Sequence, residues 1–103
     1  MTTETKKISI LAELNILPGY EKEVLAAAEK VWIATRKESG CEAFLFNTKI
    51  ESENTIVFFE VFKSAEDFKF HTEADHTNVF LAFLAGKVEG DGPKLAFLNQ
   101  FED

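Results

Sequence analysis

The chain is poor in several things, and each shortage closes a route. A single cysteine, Cys41, among 103 residues excludes an internal disulfide and any cysteine-built zinc site. Basic residues are scarce: eleven Lys and Arg stand against eighteen Asp and Glu, a formal charge of −7. Such a surface repels phosphate backbones and anionic lipid, so neither nucleic acid nor membrane is expected as a partner. The longest uncharged stretch, TNVFLAFLAG at 77–86, is about half of what a spanning helix needs. The start, MTTETKKISI, lacks the apolar core of a signal peptide, and a cytoplasmic, reducing setting is expected. Histidines number only two, and both lie in one stretch, EVFKSAEDFKFHTEADH (60–76).

What is present is a core. Hydrophobic residues make up 46% of the chain and phenylalanine alone contributes eleven, which argues against disorder. The length fits one domain, 1–103, with residues 1–5 and 102–103 expected to fray. KKISILAELNI (6–16) predicts a strand with Ile8, Ile10, Ala12, Leu14 and Ile16 on one face. Pro18-Gly19 ends it and opens a helix over 20–39, where Val24, Leu25, Ala28, Val31, Trp32 and Thr35 form a stripe. Glu21 and Glu23 near its start and Arg36 and Lys37 near its end suit the helix dipole, and Gly40 is the expected stop. Strands follow at 41–50 and 54–62, joined by a turn at ESEN. SAED (64–67) is a capping box in which Ser64 caps a helix over 65–73. Asp75 is expected to cap another, with Val79, Phe80, Phe83 and Leu84 on its buried side. A turn-rich loop (86–94) leads to a last strand, 94–101.

The order β-α-β-β-α-α-β predicts a ferredoxin-like α+β domain, an antiparallel sheet with helices on one face. In TIVFFEVF, however, Val57, Phe59 and Val61 point one way while Ile56, Phe58 and Phe62 point the other. A sheet with one face in water alternates apolar with polar, so this second face needs cover. A second copy packed sheet to sheet would supply it, and a homodimer is predicted.

Four patterns recur in order: Pro18-Gly19, Arg36-x-Glu38-x-Gly40-Cys41, Glu60-x-Phe62 and His71-x4-His76. With the stretches ILPGYEKEV, RKESGCEAFLF and FFEVFKSAEDFKFHTEADHTNVF around them, the chain resembles the antibiotic biosynthesis monooxygenase (ABM) domain from about residue 8 to 101. The resemblance implies a dimeric α/β barrel with a pocket between each sheet and its own helices. It also implies a quinol monooxygenase-like activity that uses O2 with no metal, flavin or other cofactor. Other branches degrade haem or process the phosphorylated autoinducer-2 signal. The haem branch carries an Asn late in the first strand, a Trp and an axial His near the places of Glu13, His71 and Leu81 here, which sets haem breakdown aside. The aromatic after Glu60, usually Trp, is Phe62.

A cofactor-free oxygenase takes a proton from an electron-rich substrate in an apolar pocket and lets the anion reduce O2. Glu60 shares a strand face with Ile56, Phe58 and Phe62, and burial there would raise its pKa into a useful range. His71 and His76 titrate in that range unaided. The catalytic candidates are therefore Glu60, His71 and His76, with Phe44, Phe58, Phe62 and Phe80 as substrate-binding walls for a small quinol-like or polycyclic aromatic molecule. Plainer readings stand beside these. Glu60 at an exposed strand end would pair with Lys63 or Lys69, His71 would pack at a helix end, and His76 would face solvent. A zinc site from both histidines and a glutamate lacks an evident second shell. Trp32 and Cys41 read as packing residues. The alternatives in function are an isomerase or signal-processing protein of the autoinducer-2 type, and a ligand-binding dimer without turnover. Proton exchange without oxygen uptake marks the first, and tight binding that survives loss of Glu60 and His71 marks the second.

Overall fold

The computed structural model describes residues 3, 4 and 6–102, with side chains from 6 to 101. Four antiparallel strands form the main sheet: β2 (Ile8–Asn15), β3 (Cys41–Lys49), β4 (Ser52–Phe62) and β5 (Lys94–Leu98), in the order β3-β4-β2-β5. Helices α1 (Glu21–Arg36), α2 (Ala65–Glu73) and α3 (Asp75–Phe83) complete the ferredoxin-like α+β domain. Of the ends expected to fray, residues 1, 2, 5 and 103 lie outside the described residues. Thr3–Glu4 (β1) pairs with Phe101–Glu102 (β6) in a separate two-stranded ladder. No described helix is long and apolar enough to cross a membrane.

The period-two pattern decides which face each strand buries. Ile10, Ala12, Leu14 and Ile16 of the first strand segment are buried, and so are Ile56, Phe58, Glu60 and Phe62 of β4. The cross-strand pairs Ile10↔Glu60 and Ala12↔Phe58 put these two rows on the same side, the side that the helices cover. From α1, Val24, Ala28, Val31 and Thr35 reach this layer, one side chain per turn of a helical stripe. On the opposite face Leu11, Leu45 and Leu98 are exposed at 37, 54 and 42%. That apolar row is open in the single chain. One end of this face is covered in the single chain, where Ser9 and its neighbour Val61 are buried and Ser9 donates to Gln100 at 2.7 Å.

Several boundaries differ from the predicted ones, each for a local reason. Helix α1 stops at Arg36 rather than 39, and Gly40 is not its left-handed terminator. Gly40 instead permits a close approach: a Cβ placed there would collide with the side chain of Asp67 on α2. The hairpin is tighter than ESEN suggested, because Lys49 already pairs with Ser52. Ser64 caps α2 as expected, its hydroxyl accepting from the Asp67 amide at 3.1 Å and donating to Asp67 Oδ2 at 2.9 Å. Asp75 does not cap α3; the cap position is Ala74, with no side-chain bond. Nor does Val79 face inward, being 70% exposed while Thr77, Phe80 and Leu84 are buried. The run VFLAFL is apolar all round, so periodicity alone did not choose its inner side.

Candidate functional site

Glu60 sits on the helix-facing side of β4, directly between Phe44 of β3 and Ile10 of β2. It is only 6% exposed, and the register that a one-residue slip would have inverted is thereby fixed inward. The expected alternative, an exposed strand end paired with Lys63 or Lys69, is excluded by that burial. Above it lies His71, on the last turn of α2 and also buried. The Ser64 cap and the Gly40 contact set where α2 begins, and so where His71 is held. Its Nε2 is 3.9 Å from Glu60 Oε1, close but beyond hydrogen-bond length.

The other ring nitrogen meets a residue that the sequence reading named only as part of a motif. Glu38, in the turn after α1, approaches His71 Nδ1 with its Oε2 at 2.9 Å. The same oxygen lies 2.6 Å from His76 Nε2. The Glu38 side chain is 3% exposed, and its Oε1 has no hydrogen-bond partner among the described residues. Thr77 Oγ1 stands 3.3 Å from His71 Nδ1. His76 therefore does not simply face solvent: its side chain is 28% exposed on one flank and bound to Glu38 on the other. Its hydrogen-bond partner is Glu38, not Glu60. A signal for Glu38 was present, since positions 24, 28, 31 and 35 extend by one more helical step to 38.

The electrostatics follow from this layout. Burial, reinforced by the negative charge of Glu38, pushes Glu60 from an ordinary 4.5 up to about 8. Burial also holds His71 below its usual range, against the opposing pull of Glu38. At neutral pH the pair is thus a protonated carboxylic acid beside a neutral imidazole. One is ready to give a proton and the other to take one.

Glu38, His71 and His76 also offer three ligand atoms within 4.8 Å of one another. Tetrahedral zinc with ligands at 2.0–2.1 Å keeps them about 3.3 Å apart. The separations of 2.6 and 2.9 Å around Glu38 Oε2 are those of charge-assisted hydrogen bonds. An ion would have to spread the cluster before entering it. It would also lie on the Nδ1 side of His71, away from the cavity.

That cavity lies between the sheet and the helices, encloses about 110 Å³, and is lined by Phe44, Phe58, Phe80, Glu60 and His71 among others. Phe62 is not in the lining. It stacks behind His71, ring centroids 4.7 Å apart, because it follows Glu60 on the same face one step beyond the histidine. Exposed Thr72, Leu81 and Leu95 mark the mouth, at the β5 edge. A larger surface depression of about 500 Å³ between α1 and β3 includes Trp32, Arg36 and Cys41. Trp32 donates its indole N–H to the Phe44 carbonyl at 2.9 Å and carries the Arg36 guanidinium 4.2 Å over its ring. Burial pushes the Cys41 thiol up to about 11, which leaves it protonated and unreactive. No acid–base pair is found there.

The family described as antibiotic biosynthesis monooxygenase matches residues 7–82. The chain is 31% identical over 75 residues to the Bacillus subtilis protein named "Putative monooxygenase YcnE", covering 73% of this chain and 79% of that one. In structure it superposes on protein SO0527 from Shewanella oneidensis with a TM-score of 0.90 at 19% identity, over the full length of both chains. A Nitrosomonas europaea protein called a "putative antibiotic biosynthesis monooxygenase" gives 0.87 at 13% identity, with 95% of this chain and 93% of that one covered. At those identities the structural likenesses speak for the fold alone.

Proposed function

The chain belongs to the antibiotic biosynthesis monooxygenase family, and from that premise we propose that it oxidises a small quinol-like aromatic substrate with O2, using Glu60 and His71 as a neutral acid–base pair. The observation that carries this is the pair itself: Glu60 and His71, 3.9 Å apart, both lining a mainly aromatic and aliphatic cavity, with the acid raised to about 8 and the imidazole lowered by burial from its usual range. His71 Nε2 takes a proton from a phenol or from the acidic ring carbon of its keto tautomer. The electron-rich anion gives an electron to O2, and the two radicals combine into a ring peroxide. Glu60 protonates the peroxide; loss of the second ring proton then cleaves the O–O bond and releases water. Overall a ring CH2 and O2 become a ring C=O and H2O. All four electrons come from the substrate, so no reductant or redox cofactor is required. The aromatic walls keep water from the anion.

Size narrows the substrate. The cavity of about 110 Å³ is somewhat below the roughly 150 Å³ of an engineered apolar hole that takes up benzene. At most one ring would be held inside, and a second or third would leave through the mouth. Charge narrows it further, because no Lys or Arg lines the cavity and a phosphorylated substrate would bury its anion unpaired beside Glu60. This weighs against the autoinducer-2 alternative, although the same acid–base pair would serve a proton-shifting isomerase. A second copy covering Leu11, Leu45 and Leu98 belongs to the proposal, giving a homodimer.

The test is oxygen consumption by purified, chelator-treated protein against reduced naphthoquinols and anthrols. A Glu60→Gln, His71→Ala double variant runs beside it. Catalysed uptake that the double variant loses is the expected result. Uptake no faster than autoxidation across the panel overturns oxygenation, and deuterium exchange into ligand without uptake would favour the isomerase.

A further inference from the structure

His71 serves as a base toward the cavity only in one of its two neutral forms. If the single N–H sits on Nε2, no lone pair faces Glu60 or a substrate, and the ring is inert there. What stands on the opposite side of the ring therefore decides the chemistry. On that side Glu38 Oε2 lies 2.9 Å from Nδ1. A carboxylate oxygen at that distance accepts a hydrogen bond, and a bare Nδ1 would set lone pair against lone pair.

Resting on the acid–base roles given above, we propose that Glu38 is a positioning residue that locks His71 as its Nδ1–H tautomer and so presents the Nε2 lone pair to the cavity, while His76 holds Glu38 in place for that task. Glu38 does not line the cavity and touches no reacting atom. Its carboxylate is almost wholly buried, and one oxygen receives both rings, from His71 and from His76 at 2.6 Å. His76 comes from α3 and reaches Glu38 from the solvent side, so the carboxylate is pinned between two helices. Such a buried charge is costly unless donors surround it, and the fold sets two imidazole nitrogens against Oε2 and, among the described residues, no hydrogen-bond partner against Oε1. The asymmetry fits a group built to aim imidazoles rather than to stabilise the domain. When Nε2 takes its proton, the resulting imidazolium is bonded at once to the Glu38 charge. The groups that face His71 are thus Glu38 from the turn after α1, Glu60 from β4, and His76 and Thr77 from α3.

The deciding measurement is the protonation pattern of the His71 ring by nitrogen NMR, in substrate-free protein near pH 7.5. It does not depend on any turnover. The wild type is expected to show protonated Nδ1 and bare Nε2. Glu38→Gln offers an amide N–H to Nδ1 and should move the proton to Nε2, whereas Glu38→Asp should keep the wild-type pattern in part. His76→Ala, at a partly exposed site, should give a mixture of the two forms. With any quinol the wild type oxidises, Glu38→Gln should lower kcat about 10²- to 10⁴-fold, with a far smaller change in KM. A wild-type ring protonated on Nε2 overturns the proposal, as does a folded Glu38→Gln protein with an unchanged tautomer. If Glu38→Gln does not fold, an unchanged pattern in both Glu38→Asp and His76→Ala, with full activity, overturns it as well. A correct tautomer response in a protein that oxidises nothing keeps the positioning role and removes the oxygenation instead.

Discussion

Replacing Glu60 by glutamine should change how stability depends on pH. The carboxyl ionises near 4.5 when exposed and at about 8 in the fold. Below 4.5 both the folded and unfolded chains carry the proton, and burying it costs no ionisation energy. Between 4.5 and 8 the unfolded chain has lost the proton while the folded chain keeps it, so unfolding releases a proton. Stability then falls by about 1.4 kcal/mol per pH unit. Above 8 both forms are ionised and the slope vanishes. Between pH 5 and 8 the loss assigned to Glu60 is about 3.5 kcal/mol, a large share of the ~5–15 kcal/mol that a domain has. Glutamine fills the same space and cannot ionise, so the variant lacks this loss. His71 acts in the opposite sense: its depressed folded pKa gives stability that is present above 6.5 and lost as pH falls. That contribution is common to both proteins and cancels in their difference.

The assay is urea unfolding of wild type and Glu60→Gln at pH 5, 6, 7 and 8, with protein concentration fixed because a dimer's stability depends on it. The stability of wild type relative to the variant should decline steadily across the series. Parallel curves would mean that Glu60 ionises in the fold as it does in water. The acid proposed to protonate the peroxide would then be an ordinary wet carboxylate, and the mechanism would fail at that step.

Two further outcomes test how the site is held. Gly40→Ala places a methyl group against the Asp67 side chain and should cost about 1–3 kcal/mol by overpacking, read as a lower urea midpoint; an unchanged midpoint would show that α2 does not depend on this approach. Leu45→Glu, at a position 54% exposed in the single chain, should leave the fold intact and halve the mass found by light scattering, whereas a wild type that already runs as one chain would refute the predicted dimer.

Much of the sheet was legible because strand periodicity is local. Ile56, Phe58, Glu60 and Phe62 alternate with Val57, Phe59 and Val61, so the neighbours of Glu60 could be named before its side was known. Which side it took depended on pairing with Ile10 and Phe44, sixteen or more residues away. The α1 stripe was likewise visible, and so was the Ser64 cap. In helix α3 the sequence pattern named Phe80 and Leu84 for the buried side, but Val79 and Leu81 blur its apolar face, and packing turned Val79 outward and Thr77 inward.

The partner of His71 was harder to read, and the reason is physical. Two histidines five apart draw attention to each other, and their rings do lie 6.3 Å apart. Their link, however, is not direct. It runs through Glu38, 33 residues before His71, which entered the sequence pattern only as the acid of Arg36-x-Glu38-x-Gly40-Cys41. Its distinguishing feature was position: it continues the buried stripe of α1 at a place where a core would ordinarily carry an apolar side chain. A charge kept at such a place needs donors from elsewhere in the fold, and the fold brings both of the chain's histidines to it. The pairing of that acid with those rings is therefore better explained by what it does to His71 than by what it adds to stability.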